Sequence, residues 1–183
     1  MLTGTVLGVI AFICFVFTIG CYNSGIKLRN YVREAFSTMD VYMKKRWDLI
    51  PNLLETVKGY AAHEKELFEK VTELRNQNYT GMTPVQKMEV NNELGLALSK
   101  LLAVAENYPD LKASENFQML MGQLASVEED IANSRKYYNG TVRQLNTYTE
   151  LFPSNIIAGI FGIKAEKMFE IDEKQRENVK VSF

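Results

Sequence analysis

The sequence predicts an all-α protein, an N-terminal transmembrane helix followed by an antiparallel bundle of long helices. Three observations carry that prediction. The first 26 residues hold no charged side chain and are strongly apolar. Apolar side chains then recur at three-to-four spacing through most of the remaining chain, the period of a helix face. No segment of useful length alternates with the period of two that marks a half-buried strand. The implied organisation is an anchor at residues 1–26, a helical bundle domain at 27–163 and a charged tail at 164–183.

The anchor is justified by length and flanks. About 20 helical residues cross a hydrocarbon core of ~30 Å, and residues 2–22 supply them without a charge. A helix also satisfies its own backbone groups, which a bilayer requires. Lys27, Arg29 and Arg33 follow, then Lys44, Lys45 and Arg46, whereas no charged side chain precedes the span. The positive-inside bias therefore predicts a single pass with the N-terminus outside and the bundle in the cytoplasm. A cleaved secretory signal would open with a basic segment, absent here. Thr18-Ile19-Gly20-Cys21 loosely resembles a lipid-attachment box, with Thr18 where an aliphatic residue is wanted. Lipidation of Cys21 stays as an alternative, and it would place the bundle on the other side of the membrane. Cys14 and Cys21 are the only cysteines, lie seven apart on one helix face, and read as small hydrophobes. They exclude a disulfide framework in the soluble part.

Beyond the anchor, Val32, Phe36, Met39, Met43, Trp47, Ile50, Leu54, Val57, Ala61, Phe68 and Val71 keep helical phase. The spacing predicts one first helix over residues 27–79, roughly 80 Å long. Pro51 lies inside it and predicts a kink, since the apolar stripe keeps phase across it. The gap between Ala61 and Phe68 is filled by His63-Glu64-Lys65-Glu66, with Glu64 at the seam position of the same helix. Thr83-Pro84 with Gln86 is a capping-box start for a second helix running to about Asn107. Asn107-Tyr108-Pro109-Asp110 is a turn signal. A third helix then carries Phe117, Leu120, Leu124, Val127, Ile131, Tyr138, Val142, Leu145, Tyr148 and Phe152 inward, and Pro153 stops it. Ser154 reads as the cap of a short apolar helix over residues 155–161, one that closes the bundle's end or dips into a membrane or a neighbouring protomer. The tail has weak apolar periodicity and is expected to be mobile or loosely docked.

Unequal helix lengths lead to a surface prediction. A second helix of about half the length of the first covers only its distal half at ~1.5 Å per residue. Val32, Phe36, Met39, Met43 and Trp47 are then left without an intrachain partner and form a predicted self-association stripe. The third helix is expected to overshoot the second and expose part of Tyr138 to Phe152, and offset surfaces of this kind pair head to tail into rings or polymers. The competing arrangement is a sharp break at Pro51 that folds the halves back into a compact four-helix bundle. A second feature is a predicted interhelical polar network, with Asp40, Arg46, Asp48 and Asn52 facing Tyr138, Asn139 and Asn146.

No catalytic constellation emerges. His63 is the only histidine, and His63-Glu64 lacks the second histidine that a zincin motif needs four residues on. Glu128, Glu129 and Asp130 read as a solvated face rather than a paired-carboxylate site. Glycine-rich phosphate loops, nucleophile elbows and metal-ligand clusters do not occur, so no cofactor and no enzymatic activity are expected. A net charge of −1 gives no reason to expect nucleic acid as a partner.

Several blocks together resemble the LemA family: Asp40-Val41, Lys45-Arg46-Trp47-Asp48-Leu49-Ile50-Pro51-Asn52-Leu53, Glu55-Thr56-Val57-Lys58-Gly59-Tyr60-Ala61, Leu101 through Lys112, Arg135-Lys136-Tyr137-Tyr138-Asn139 and Phe152-Pro153-Ser154-Asn155-Ile156-Ile157-Ala158. Trp47 stands where the family often has Tyr. The resemblance implies a bacterial cytoplasmic (inner) membrane protein with an external N-terminus and a cytoplasmic helical domain. It brings no catalytic residues, and a magnetosome-associated relative implies a role in membrane organisation or remodelling. The expected function is a membrane-anchored scaffold that self-associates into homo-oligomers on the bilayer. The alternative is a monomeric adaptor presenting its bundle to another membrane protein, such as a protease or sensor.

Overall fold

The structure, a computed structural model, describes residues 2–60 and 64–170. Among these residues the chain forms six α-helices and no strand: α1 (Leu2–Lys58), α2 (Lys65–Arg75), α3 (Pro84–Ala105), α4 (Pro109–Ala113), α5 (Glu115–Glu150) and α6 (Ser154–Phe161). A 3-10 turn, Tyr79–Gly81, lies between α2 and α3. The all-α class read from periodicity is what the chain adopts. Contacts divide it into two compact units, one of residues up to 37 with 136–168, the other of 38–135 with the stretch from 169.

The helix α1 is one 57-residue element with Pro51 inside it. Helical hydrogen bonding passes from the apolar N-terminal stretch into the amphipathic stretch without a linker, so both belong to one helix. This helix is long and apolar enough to cross a membrane, and none of its most apolar window is buried.

The first helix is shorter at its far end than its periodicity suggested. It stops at Lys58, and the chain resumes as α2 at Lys65, so residues 27–79 are two helices rather than one. Helix propensity is lowest for Gly among non-proline residues, and Gly59 opens a turn in which the Tyr60 amide donates to Val57 O at 3.0 Å. The gap before Phe68, expected to be bridged by Glu64 within one helix, is where the helix ends and the chain reverses. The stripe residue Ala61 and His63 fall outside the described residues. The fold-back that Pro51 was weighed for thus occurs a little later in the chain, and α1 continues through the proline.

In the second unit α2 returns along α1. The Lys58 ammonium lies 5.9 Å from the Phe68 ring centre, and Trp47 packs 5.0 Å from Tyr79. Then α3 runs in the same direction as α1, since Asp40 meets Lys87 while Arg46, further along α1, meets Asn91. Its start is the predicted capping box, with Thr83 Oγ1 accepting from the Gln86 amide and Gln86 Oε1 accepting from the Thr83 amide. Met39, Met43, Ile50, Val57, Val71, Leu94 and Leu101 are almost wholly enclosed and form the core.

In the first unit α1 and α5 pack antiparallel. Tyr148 donates from its hydroxyl to Cys21 O at 2.6 Å, and Phe36, further along α1, meets Tyr138, earlier in α5, edge-on at 6.0 Å. Gly25 is required where they approach. A Cβ there would lie 2.5 Å from Ile163 Cδ1 and 2.9 Å from Tyr148 Cε1. The residues after α6 are docked: Gly162 takes the left-handed conformation (φ 66°), and Ile163 beyond it is buried. Ser154 does not cap α6 as expected. Its hydroxyl donates backwards to Tyr148 O and Leu151 O, tying off the end of α5. Phe152, expected to face inward, lies past that end and is 79% exposed.

Substituting Gly25→Val should lower stability by about 2 kcal/mol, the usual cost of overpacking a closed contact. Thermal unfolding in detergent measures it, and protease cleavage after Ile163 should quicken alongside.

Candidate functional site

The stripe predicted to lie open is an intrachain core. Val32, Met39, Met43 and Trp47 are buried and Phe36 is half-buried. The premise that the stripe lacks a partner is therefore overturned. The cause is the extra reversal after Lys58: it turns the later helices over, so that α5 runs back along α1, meeting Phe36 through Tyr138 and Cys21 through Tyr148, and its own Tyr138, Val142 and Leu145 are buried there.

The residues predicted as one polar network fall into two sets. In the second unit Asp40 binds with both carboxylate oxygens, accepting from the Tyr79 hydroxyl at 2.7 Å and the Lys87 ammonium at 2.6 Å. The same ammonium lies 4.9 Å from the Tyr79 ring centre. Burial first, then the hydrogen bond to Asp40, push the Tyr79 phenol well above its usual range. Arg46 is the buried charge of this unit, with a side chain 3% exposed. It donates to Glu128 Oε1 at 2.6 Å and, through its other terminal nitrogen, to the backbone and side-chain oxygens of Asn91. Asp48 instead pairs with Lys44 on the exposed face, and Asn52 is exposed.

In the first unit the network residues on α5 hold the chain after α6. Tyr138 donates to Lys167 O at 2.9 Å, while Asn146 donates to Glu166 O and accepts from the Glu166 amide. Burial pushes the Tyr138 phenol up to about 12, with Glu166 adding to the shift. Asn139 also has an interaction partner. Tail residues 164–167 are therefore bonded in place, and Phe169, in the other unit, is buried against the Arg135 guanidinium at 4.1 Å.

Sequence reasoning missed Tyr79, Lys87, Asn91 and Glu128 as partners. One signal was present for Arg46, which lies seven residues after Met39 and hence on the buried face. Glu128 was read as part of a solvated face. It is 45% exposed, yet it is the carboxylate that pairs with Arg46.

Beside this pair a cleft of about 600 Å³ is lined by Arg46, Asn91, Asn92, Leu102, Glu128 and Arg135, among others. The Nε atoms of Arg46 and Arg135 and the Asn91 amide nitrogen are shut away from solvent without a partner among the described residues. Burial, then the nearby Arg46, hold the Arg135 guanidinium below its usual range, against the pull of Glu128. These groups can clamp helices through charge-assisted bonds. No set of three His, Cys, Asp or Glu among the described residues could hold a metal ion.

The family model for LemA matches residues 35–183, which includes α2 to α6 and most of the bonded residues just described. The chain belongs to the LemA family. It is 24% identical over 192 residues to magnetosome protein MamQ 2 of Paramagnetospirillum magneticum, covering 91% of this chain and 70% of that protein. To magnetosome protein MamQ of Magnetospirillum gryphiswaldense it is 23% identical, covering 92% and 71%. To protein LemA of Metamycoplasma hominis it is 23% identical, covering 92% and 81%. The LemA match and the apolar start of α1 identify a membrane-associated helical protein. The names of the family and of these relatives are not names of enzyme activities.

Arg46→Met leaves the buried Asn91 side-chain oxygen without its donor while Glu128 stays half in solvent, so it should lose about 1–3 kcal/mol in chemical unfolding. Lys44→Met, which removes an exposed pair, should lose less than about 0.5 kcal/mol. Tyr138 sets a pH dependence. Its folded pKa lies above the ordinary 10.0, so the unfolded chain ionises first and stability falls as pH rises from 10.0 towards 12. In Tm measured against pH, Tyr138→Phe should flatten that decline.

Proposed function

We propose that this LemA-family chain is a non-enzymatic, membrane-anchored scaffold that presents its helical bundle to another membrane protein and so organises the bilayer's contents. The observation that carries the reading is α1. Its apolar first stretch is uncovered, while its later stretch supplies core side chains such as Met39, Met43 and Ile50. Anchor and presenting domain are thus one helix, as suits a protein that holds something at a membrane. The basic residues Lys27, Arg29 and Arg33 directly after the apolar stretch favour a cytoplasmic bundle and an external N-terminus, in a bacterial inner membrane. Relatives named as magnetosome proteins are a reason to look for a role in organising a membrane.

Burial of Val32, Met39, Met43 and Trp47 shifts weight from self-association through that stripe to the adaptor alternative. Those side chains are already packed within their own chain. The polar clusters at Asp40 and Arg46 serve the bundle by fixing which helices meet, a role in which buried polar groups favour one register.

The protein should remain in the membrane pellet after alkaline washing, and a chain lacking residues 2–22 should be released. A C-terminal tag should resist protease in spheroplasts and become cleavable once they are lysed. Light scattering of the full chain in detergent should give one copy per particle, with a distinct protein cross-linked to it in native membranes. Large regular assemblies of this chain alone would instead restore the homo-oligomeric scaffold.

A further inference from the structure

The helix α6 carries no charged residue. In a water-soluble bundle, a helix that is apolar on all sides is buried. This one is not. Ile157 and Ala158 face inward, while Ile156, Ile160 and Phe161 are exposed, Ile160 by 69%. Leu151 and Phe152, just before it, are exposed as well. A contiguous apolar surface of this kind marks a contact with something other than water.

Its position within the first unit identifies the contact. The Phe161 ring lies 4.7 Å from the Tyr22 ring, and the Tyr148 hydroxyl is bonded to Cys21 O. Counting from Leu2 at ~1.5 Å per residue, α1 has risen about 30 Å by Tyr22, the thickness of a hydrocarbon core. A bilayer crossed by α1 therefore has its boundary at the level of α6. Tyr22 and Tyr148 suit that level, where aromatic rings with a polar tip collect. In this unit basic side chains outnumber acidic ones seven to three. Lys27 and Lys164 are exposed on the chain shortly after Tyr22 and α6 respectively. Anionic headgroups attract such a surface. With a length of about 12 Å, α6 is too short to cross the bilayer but long enough to lie in its boundary.

We propose that α6, with Leu151 and Phe152, inserts into the headgroup–acyl boundary of the bilayer that α1 crosses, drawn there by anionic phospholipid. The inference rests on the reading of α1 as an anchor and adds a second, shallow membrane contact.

The full chain would be placed one copy per nanodisc, in phosphatidylcholine with or without phosphatidylglycerol. An environment-sensitive fluorophore would be attached at Ile160→Cys in a Cys14→Ala, Cys21→Ala background. Tyr137→Cys in the same background gives an exposed control in the same unit, and native Cys14 with Cys21→Ala reports on the anchor. At position 160, a lipid-borne quencher should quench several-fold more strongly than aqueous iodide, and more so with phosphatidylglycerol. Position 137 should show the reverse. Iodide quenching at 160 equal to that at 137, with Cys14 still quenched by lipid, would overturn the inference and leave the anchor standing. Shielding at 160 that appears only in discs loaded with several copies would overturn it in favour of a second chain. Failure of lipid quenching at Cys14 would overturn the anchor and the inference together. Circular dichroism confirms that each labelled chain keeps its helix content.

Discussion

The structure depends on one constraint: α1 must be apolar on every side for its first stretch and amphipathic for the rest, without ceasing to be a helix. A bilayer demands that backbone hydrogen bonds be satisfied within the segment. A bundle demands that one stripe face a core. Both demands are met by a continuous α-helix, and Leu2–Lys58 is one. Around the change of character the chain places Gly25, whose missing Cβ admits Tyr148 and Ile163. The bond from Tyr148 to Cys21 O secures α5 at the same height.

Burying polar groups in an apolar bundle is costly unless they are bonded, and the bundle holds several such groups in defined sets. Asp40 joins α1 to the 3-10 turn through Tyr79 and to α3 through Lys87. Arg46 joins α1 to α3 through Asn91 and to α5 through Glu128. A set of apolar ridges can slide by a turn at modest cost, whereas a slide here would strand a buried guanidinium. Specificity of helix pairing is therefore the physical role these residues fill.

Much of the fold was legible in local pattern. The capping box at Thr83 and Gln86, the proline-led start of α3 and the break near Pro109 all depend on residues within a few positions of one another. The reversal at Gly59 was not read, although a glycine and a gap in the stripe both stood there. Helical phase can persist on either side of a turn when the chain folds back onto the same core. The glutamate–lysine spacings around it support a helix whichever way it runs, as the pair Lys65–Glu69 shows within α2. Losing that one turn changed the helix count, and with it the fate of Val32 to Trp47.

The sequence by itself determined what short-range chemistry can determine: the all-α class, the apolar segment, most helix limits and the kinship with LemA proteins. Only the tertiary structure decided which faces are covered. It buried the stripe thought to be open, and it exposed the apolar surface of α6 and Phe152. It also gave Arg46 a partner 82 positions away. Burial depends on which helices return to cover a face, and that is set by turns and long-range pairings that periodicity along one helix does not encode.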